Sequence, residues 1–211
     1  MLPDILELVA SRTGHFRLES GHHAERWLDL ERLCMNVQAV EWHANQLADK
    51  LARHAFDIVC GPLVEGAFVA LMVARQLSKP FVYAERVGPG HASAMFGVRY
   101  EIPQSLRPEL RGRRVAIVND FTSAGSAVRR TMGDVRACGG FVAAVGSLVV
   151  LGTEAAGFCE RERVPLETLH NLPFAIWEPS SCPLCAAGEP LIDPLAAASA
   201  STTSANPAES R

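Results

Sequence analysis

Apolar side chains at Val37, Val40, Ala44, Leu47, Ala48, Leu51 and Ala55 recur at helical spacing, with His43, Gln46, Asp49, Lys50 and Arg53 mostly between them. This predicts an amphipathic helix over 37–55 packed on a flat apolar surface. A short apolar run, Asp57-Ile-Val-Cys60, then meets a turn at Gly61-Pro62. Apolar positions at helical spacing fill 66–77, and Pro80-Phe-Val-Tyr83 reads as a further strand. The same order returns as a strand at Arg114-Val-Ala-Ile-Val118, a loop at 119–125, a helix around 127–137 ending at Gly139-Gly140, and a strand over 141–151. Two βαβ units in series predict an α/β fold with a mostly parallel sheet. The runs at 57–60 and 115–118 are almost wholly apolar, as in strands covered by helices on both faces.

In such sheets ligands sit beyond the carboxyl ends of the strands, so the loops at 61–66 and 119–126 are the places to look for chemistry. The stretch 88–107 opens with Gly-Pro-Gly-His91 and has no sustained period. It reads as a long excursion or β-hairpin, of the kind that serves as an active-site lid. From Asp193 onward Ala, Ser, Thr and Pro dominate, which predicts a disordered tail at 193–211 after a single domain at 1–192.

Composition narrows the ligand classes. The chain has 211 residues, 48% hydrophobic and 20% charged, which fits one globular domain and excludes collagen, coiled coil and a wholly disordered chain. Twenty Lys+Arg against 23 Asp+Glu give a net charge of -3, so no general positive field holds a nucleic-acid backbone or an anionic membrane. Any anion must be bound locally. No apolar run approaches the roughly 20 residues that span a bilayer, and Met1–Ala10 carries Asp4 and Glu7 where a signal peptide has a basic segment. A cytoplasmic, reducing location is therefore expected, in keeping with six cysteines too sparse for a disulfide scaffold. Cys182-Pro-Leu-Cys185 alone has the gap that lets two sulfurs reach one metal. A structural zinc there needs two more ligands, from Cys159, His170 or a second subunit; the other reading is two reduced thiols in a tight turn.

The segment Asn119-Asp120-Phe121-Thr122-Ser123-Ala124-Gly125-Ser126 carries the most information. Small side chains at Thr122, Ser123, Ala124, Gly125 and Ser126 let backbone N–H groups curl around phosphate oxygens, and the helix start adds its dipole. Asp120 and Asn119 can accept hydrogen bonds from vicinal ribose hydroxyls. A Ser/Thr N-cap with Asp120 in an Asx turn is the structural alternative. Neither a Gly-x-x-x-x-Gly-Lys-Ser/Thr loop nor a Gly-x-Gly-x-x-Gly follows the first strand, which disfavours nucleotide hydrolysis and dinucleotide binding.

Val115–Ala127 resembles the phosphoribosyl pyrophosphate (PRPP) signature of the type I phosphoribosyltransferases. Three other stretches are similar to orotate phosphoribosyltransferases. Phe16-Arg-Leu-Glu-Ser-Gly21 with Trp27-Leu-Asp-Leu30 resembles their N-terminal hood, Gly61-Pro-Leu-Val-Glu-Gly66 their pyrophosphate loop, and Trp177–Leu191 the tail of one bacterial subgroup. The resemblance covers about residues 5–192 and implies a hood formed mainly by 1–35 with part of the C-terminal segment. It implies a glycosyltransferase of pyrimidine biosynthesis that moves ribose 5-phosphate from Mg²⁺-bound PRPP to a nucleobase, here orotate, and releases pyrophosphate. Carried over by position, Thr122–Ser126 would hold the 5′-phosphate, Asn119 and Asp120 the ribose hydroxyls, and Leu63, Val64, Glu65 and Gly66 the pyrophosphate. Asp120, Arg86 and His91 would serve catalysis, and a homodimer is implied because family lids complete the neighbour's site.

Three positions depart from the family pattern. Asn119 stands where the signature has an acid, the stretch 83–91 has no lysine, only Arg86 and His91, and Glu19 stands where a basic residue precedes Ser20-Gly21. They keep a second reading open, a PRPP- or nucleotide-binding regulatory protein without turnover. Several residues also have plain alternatives: His91 as a solvated histidine, Arg86 as a partner of Glu85 or Glu101, and Glu65 as a surface carboxylate. His22 and His23, beside Glu25 and Asp29, read as a polar hood loop in preference to a metal site. Trp27, Trp42 and Trp177 read as core or interface aromatics.

Overall fold

In the computed structural model, which describes residues 3–18, 20–87 and 99–194, the chain opens with an antiparallel hairpin, β1 (Ala10–Arg17) and β2 (His23–Asp29). Helix α1 (Val37–Leu51) follows, its Asn36 side chain accepting from the Ala39 N–H as an N-cap. The first βαβ unit is β3 (Ile58–Pro62), α2 (Glu65–Gln76) and β4 (Phe81–Val87). A short β5 (Arg99–Glu101) returns antiparallel to β4. The second unit is β6 (Arg114–Thr122), α3 (Ser126–Ala137) and β7 (Phe141–Leu151), extended by α4 (Glu154–Arg161) and β8 (Leu166–Leu172). The chain then runs through β9 (Ile176–Trp177) and the single turn α5 (Pro183–Ala186).

The central sheet has the order β5-β4-β3-β6-β7-β8, parallel except for β5, while β1, β2 and β9 form a separate three-stranded sheet. The apolar runs explain the layering. Alternate residues face opposite sides of a strand. Val59, Ala116 and Val118 pack with Val40, Ala44 and Leu47 of α1 and Val69 and Val73 of α2. Ile58, Cys60, Val115 and Ile117 pack with Val128, Met132 and Val135 of α3 and Cys159 of α4. Both faces are dry, so the strands need no polar alternation. Among the described residues no helix is long and apolar enough to cross a membrane.

Two boundaries differ from the sequence reading. Helix α1 stops at Leu51, because Ala55 is exposed and contributes nothing to the buried stripe. Strand β6 runs on to Thr122, so Asn119–Thr122 are not loop: they are held in register against Ser147–Val150 of the long β7. The loop proper is 123–125. The arms of the excursion form the β4–β5 hairpin, whereas 88–98, with His91, and the tail from 195 lie outside the described residues, as does Glu19.

Candidate active site

Crossovers leave β3 toward β4 and β6 toward β7, in opposite directions across the sheet, so the chain changes course between β3 and β6. That is where an open α/β sheet leaves a crevice at its carboxyl edge. The two loops singled out from the sequence meet there. Leu63, Val64, Glu65 and Gly66 line one wall of a cleft of about 220 Å³, and Asn119–Ser123, Gly125 and Ser126 line the other. Ala124 lies buried behind them. The Leu63–Val64 peptide bond is cis.

Local chemistry shapes each wall. Gly125 is the N-cap of α3 with φ +74°, a left-handed conformation that a side chain strains. No side chain caps this helix. The N–H groups of its first turn, which no helical carbonyl reaches, therefore remain available at the cleft. The Ser/Thr N-cap alternative does not apply here. Gly66 is required by close approach, since a Cβ there would come 2.1 Å from Asn119 Oδ1. The amide of Asn119 ties the ends of the wall together, its Nδ2–H donating to the Phe121 carbonyl at 2.9 Å and lying 3.2 Å from Thr122 Oγ1. Thr122 Oγ1 lies 3.0 Å from Ser147 Oγ, whose hydroxyl donates to the Val149 carbonyl at 2.8 Å. One ordered relay, Asn119 to Thr122 to Ser147 to Val149, satisfies these buried groups. Ser147 carried no signal in the sequence because its part depends on strand register.

Asp120 is buried at the cleft, and burial pushes its carboxyl up to about 7; the nearby Glu65 charge adds to the rise, and a hydrogen bond from the Phe121 backbone opposes it. A buried acid this close to neutrality sits where an approaching cation or hydroxyl donor would restore its charge.

A second cavity, of about 530 Å³, shares Leu30, Leu63, Val64, Glu65, Tyr100, Phe121 and Ser123 with the first. Its outer wall comes from the hood, with Arg12, Arg26 and Trp27, and Arg86 of β4 also lines it. Arg12 and Arg26 escaped the sequence reading, since a hairpin's residue pattern does not show what its faces cover. Trp27, read there as a core or interface aromatic, is a cavity wall. Glu101 accepts from Arg99 at 2.9 Å.

Cys182 and Cys185 line neither cavity. The ligands suggested for them are elsewhere: Cys159 of α4 is buried in the core that α3 and the sheet share, and His170 of β8 lines a cleft with Trp42 and His43. His22 pairs with Glu178 at 3.0 Å.

Residues 29–160 match the phosphoribosyl transferase domain family. Orotate phosphoribosyltransferase of Caldanaerobacter subterraneus subsp. tengcongensis is 31% identical over 188 residues, which cover 89% of this chain and 92% of that protein. Orotate phosphoribosyltransferase of Thermotoga maritima is 29% identical, covering 92% and 97%. Among solved structures, orotate phosphoribosyltransferase from Aeropyrum pernix superposes with a TM-score of 0.58 at 26% identity over 79% of this chain and 89% of that one. Adenine phosphoribosyltransferase from Thermoanaerobacter pseudethanolicus reaches 0.62 at 20% identity, covering 80% and 98%, a likeness of fold alone. Since this likeness spans both βαβ units and the two loops that close on the cleft, the chain belongs to the phosphoribosyltransferase family.

Proposed function

We propose that the protein is an orotate phosphoribosyltransferase: a ring nitrogen of orotate bonds to C1′ of PRPP as the bond from C1′ to pyrophosphate breaks. One observation carries the reading. A cleft with unused helix-start N–H groups and a buried acid opens into a hood cavity lined by arginines. The first suits a sugar phosphate and the second an anionic base, and the relatives in the preceding section bear the same activity in their names.

In this reading the 5′-phosphate lies against Thr122–Ser126 and the first turn of α3, where N–H groups and the helix dipole hold it. Asp120 accepts from the ribose hydroxyls, and as a carboxylate it favours positive charge developing at C1′. Asn119 keeps that wall in shape, acting through its hydrogen bonds to Phe121 and Thr122. Leu63–Gly66 face the pyrophosphate, with Arg86 and, from the lid, His91 offsetting the charge of the leaving group. Arg12 and Arg26 face the carboxylate of the base. Little covalent work falls to the protein, so positioning and exclusion of water supply the rate. Mg²⁺ would enter with PRPP and neutralise pyrophosphate charge; the donor set fits a hard cation, because Glu65 and the up-shifted Asp120 place oxygen ligands and uncompensated acid at the cleft.

A homodimer is part of the proposal. Helices α1 and α2 pack on each other and leave Val37, Trp42, Phe68 and Leu71 exposed, apolar side chains that a partner copy would cover.

Incubation with PRPP, Mg²⁺ and a panel of bases tests the function. Pyrophosphate release with orotate, and a rise in the KM for orotate of about tenfold or more in Arg26→Ala, are expected. Saturable PRPP binding without release for any base would replace the enzyme with the regulatory reading. Release with another base only would keep the reaction and change the acceptor.

A further inference from the structure

We infer that His15, His23, Cys182 and Cys185 form a four-ligand zinc site that fastens the C-terminal segment to the hood. It goes beyond the catalytic reading, since none of its ligands lines the cleft or the hood cavity. One donor atom from each residue lies within 4.8 Å of all the others, among the described residues. His15 Nε2 is 2.9 Å from His23 Nδ1, 3.5 Å from Cys182 Sγ and 3.7 Å from Cys185 Sγ, and His23 Nδ1 is 3.2 Å from Cys185 Sγ. A tetrahedron with the usual zinc–nitrogen and zinc–sulfur bond lengths has edges of about 3.3–3.8 Å, against 2.9–3.7 Å for these four separations and at most 4.8 Å for the other two.

Each ligand is placed by its element. Arg17 is the register partner of His23, and His15, two residues before Arg17, shares its face of the hairpin. The two imidazoles therefore stand side by side. Cys182 and Cys185 sit at the start of α5 and one turn along it, so both sulfurs point the same way, and Pro183 presets that turn. The tautomer is set as well: His15 Nδ1–H donates to the Glu189 carbonyl at 2.8 Å, which leaves the Nε2 lone pair facing the cluster. His15, His23 and Cys182 are buried. Two nitrogens and two sulfurs suit zinc and exclude Mg²⁺ or Ca²⁺, which take oxygen. Binding displaces the two thiol protons to solvent.

The site closes a wrap. Residues 176–192 cross the hood, with β9 paired along β2 at one edge and Ile192 bonded to His15 and Arg17 at the other. Few backbone bonds hold this segment, and a metal between its ends would hold the rest.

Metal analysis of the full chain, prepared without chelator or a metal-binding tag, is expected to give one zinc per chain. Cys185→Ser and His23→Ala should lose most of it, and Cys159→Ser should keep it. Should those variants fail to fold, cobalt substitution of the unaltered chain gives the reading: thiolate-to-cobalt charge transfer with the intense visible bands of a tetrahedral site. Removal of the metal should lower Tm and expose the 176–192 backbone to hydrogen exchange. No bound zinc after incubation with zinc, no cobalt–thiolate band, or retention of metal by Cys185→Ser would overturn the site. PRPP binding reports separately on the catalytic proposal.

Discussion

Asp120 is the residue whose protonation couples the cleft to stability. In the unfolded chain a carboxyl of this kind ionises near 3.8, and in the folded protein burial delays it to about 7. Below the lower value both states are protonated and nothing is lost. Between the two, the unfolded state sheds its proton first, so stability falls as pH rises, by roughly 1.4 kcal/mol per pH unit and about 4 kcal/mol in all; above 7 the decline stops. Asp120→Asn should flatten this profile in urea denaturation between pH 4 and 8, and should lower turnover about a hundredfold or more if the carboxylate faces the reacting sugar. Asn119→Asp makes the opposite point. An acid there looks like a repair of the family signature, but it would set a carboxylate against the Phe121 carbonyl that the amide now serves. A loss of about 1–3 kcal/mol is expected in the same denaturation assay.

The strand-to-helix passage from β6 to α3 works as one element. A ladder to β7 carries the polar residues as far as Thr122, and only Ser123–Gly125 turn the chain. The turn depends on Gly125, whose φ of +74° a Cβ would strain by about 1–2 kcal/mol. Gly125→Ala should therefore weaken phosphate binding, read as a lower affinity for ribose 5-phosphate in calorimetry, while the helix content stays unchanged. Here the sequence was legible in kind but not in extent. Asn119 to Thr122 read as loop because polar residues end most apolar strands, whereas β7 is long enough, and Ser147 well enough placed, to satisfy them inside the sheet. No local pattern carries that information.

For the whole molecule, the hood, the sheet and the outer helices divide the work. The sheet brings the two loops together, the hood adds Arg12, Arg26 and Trp27 above them, and α1 and α2 present an apolar face outward. If the proposed dimer forms through this face, Phe68→Glu together with Leu71→Glu should give a monomer in analytical ultracentrifugation, with the secondary structure intact. An unchanged dimer would place the interface elsewhere.

Sequence alone determined the βαβ order, the doubly covered strands and the small-residue turn that opens α3, because periodicity, small side chains and glycine are local properties that any fold must respect. Tertiary structure decided which distant groups share a space. Arg12 and Arg26 reached the second cavity through the placing of the hairpin over the sheet, and Cys182 met His15, 167 residues away, through the course of the C-terminal segment. Such meetings are set by packing and strand register, which a chain fixes only once its layers have closed.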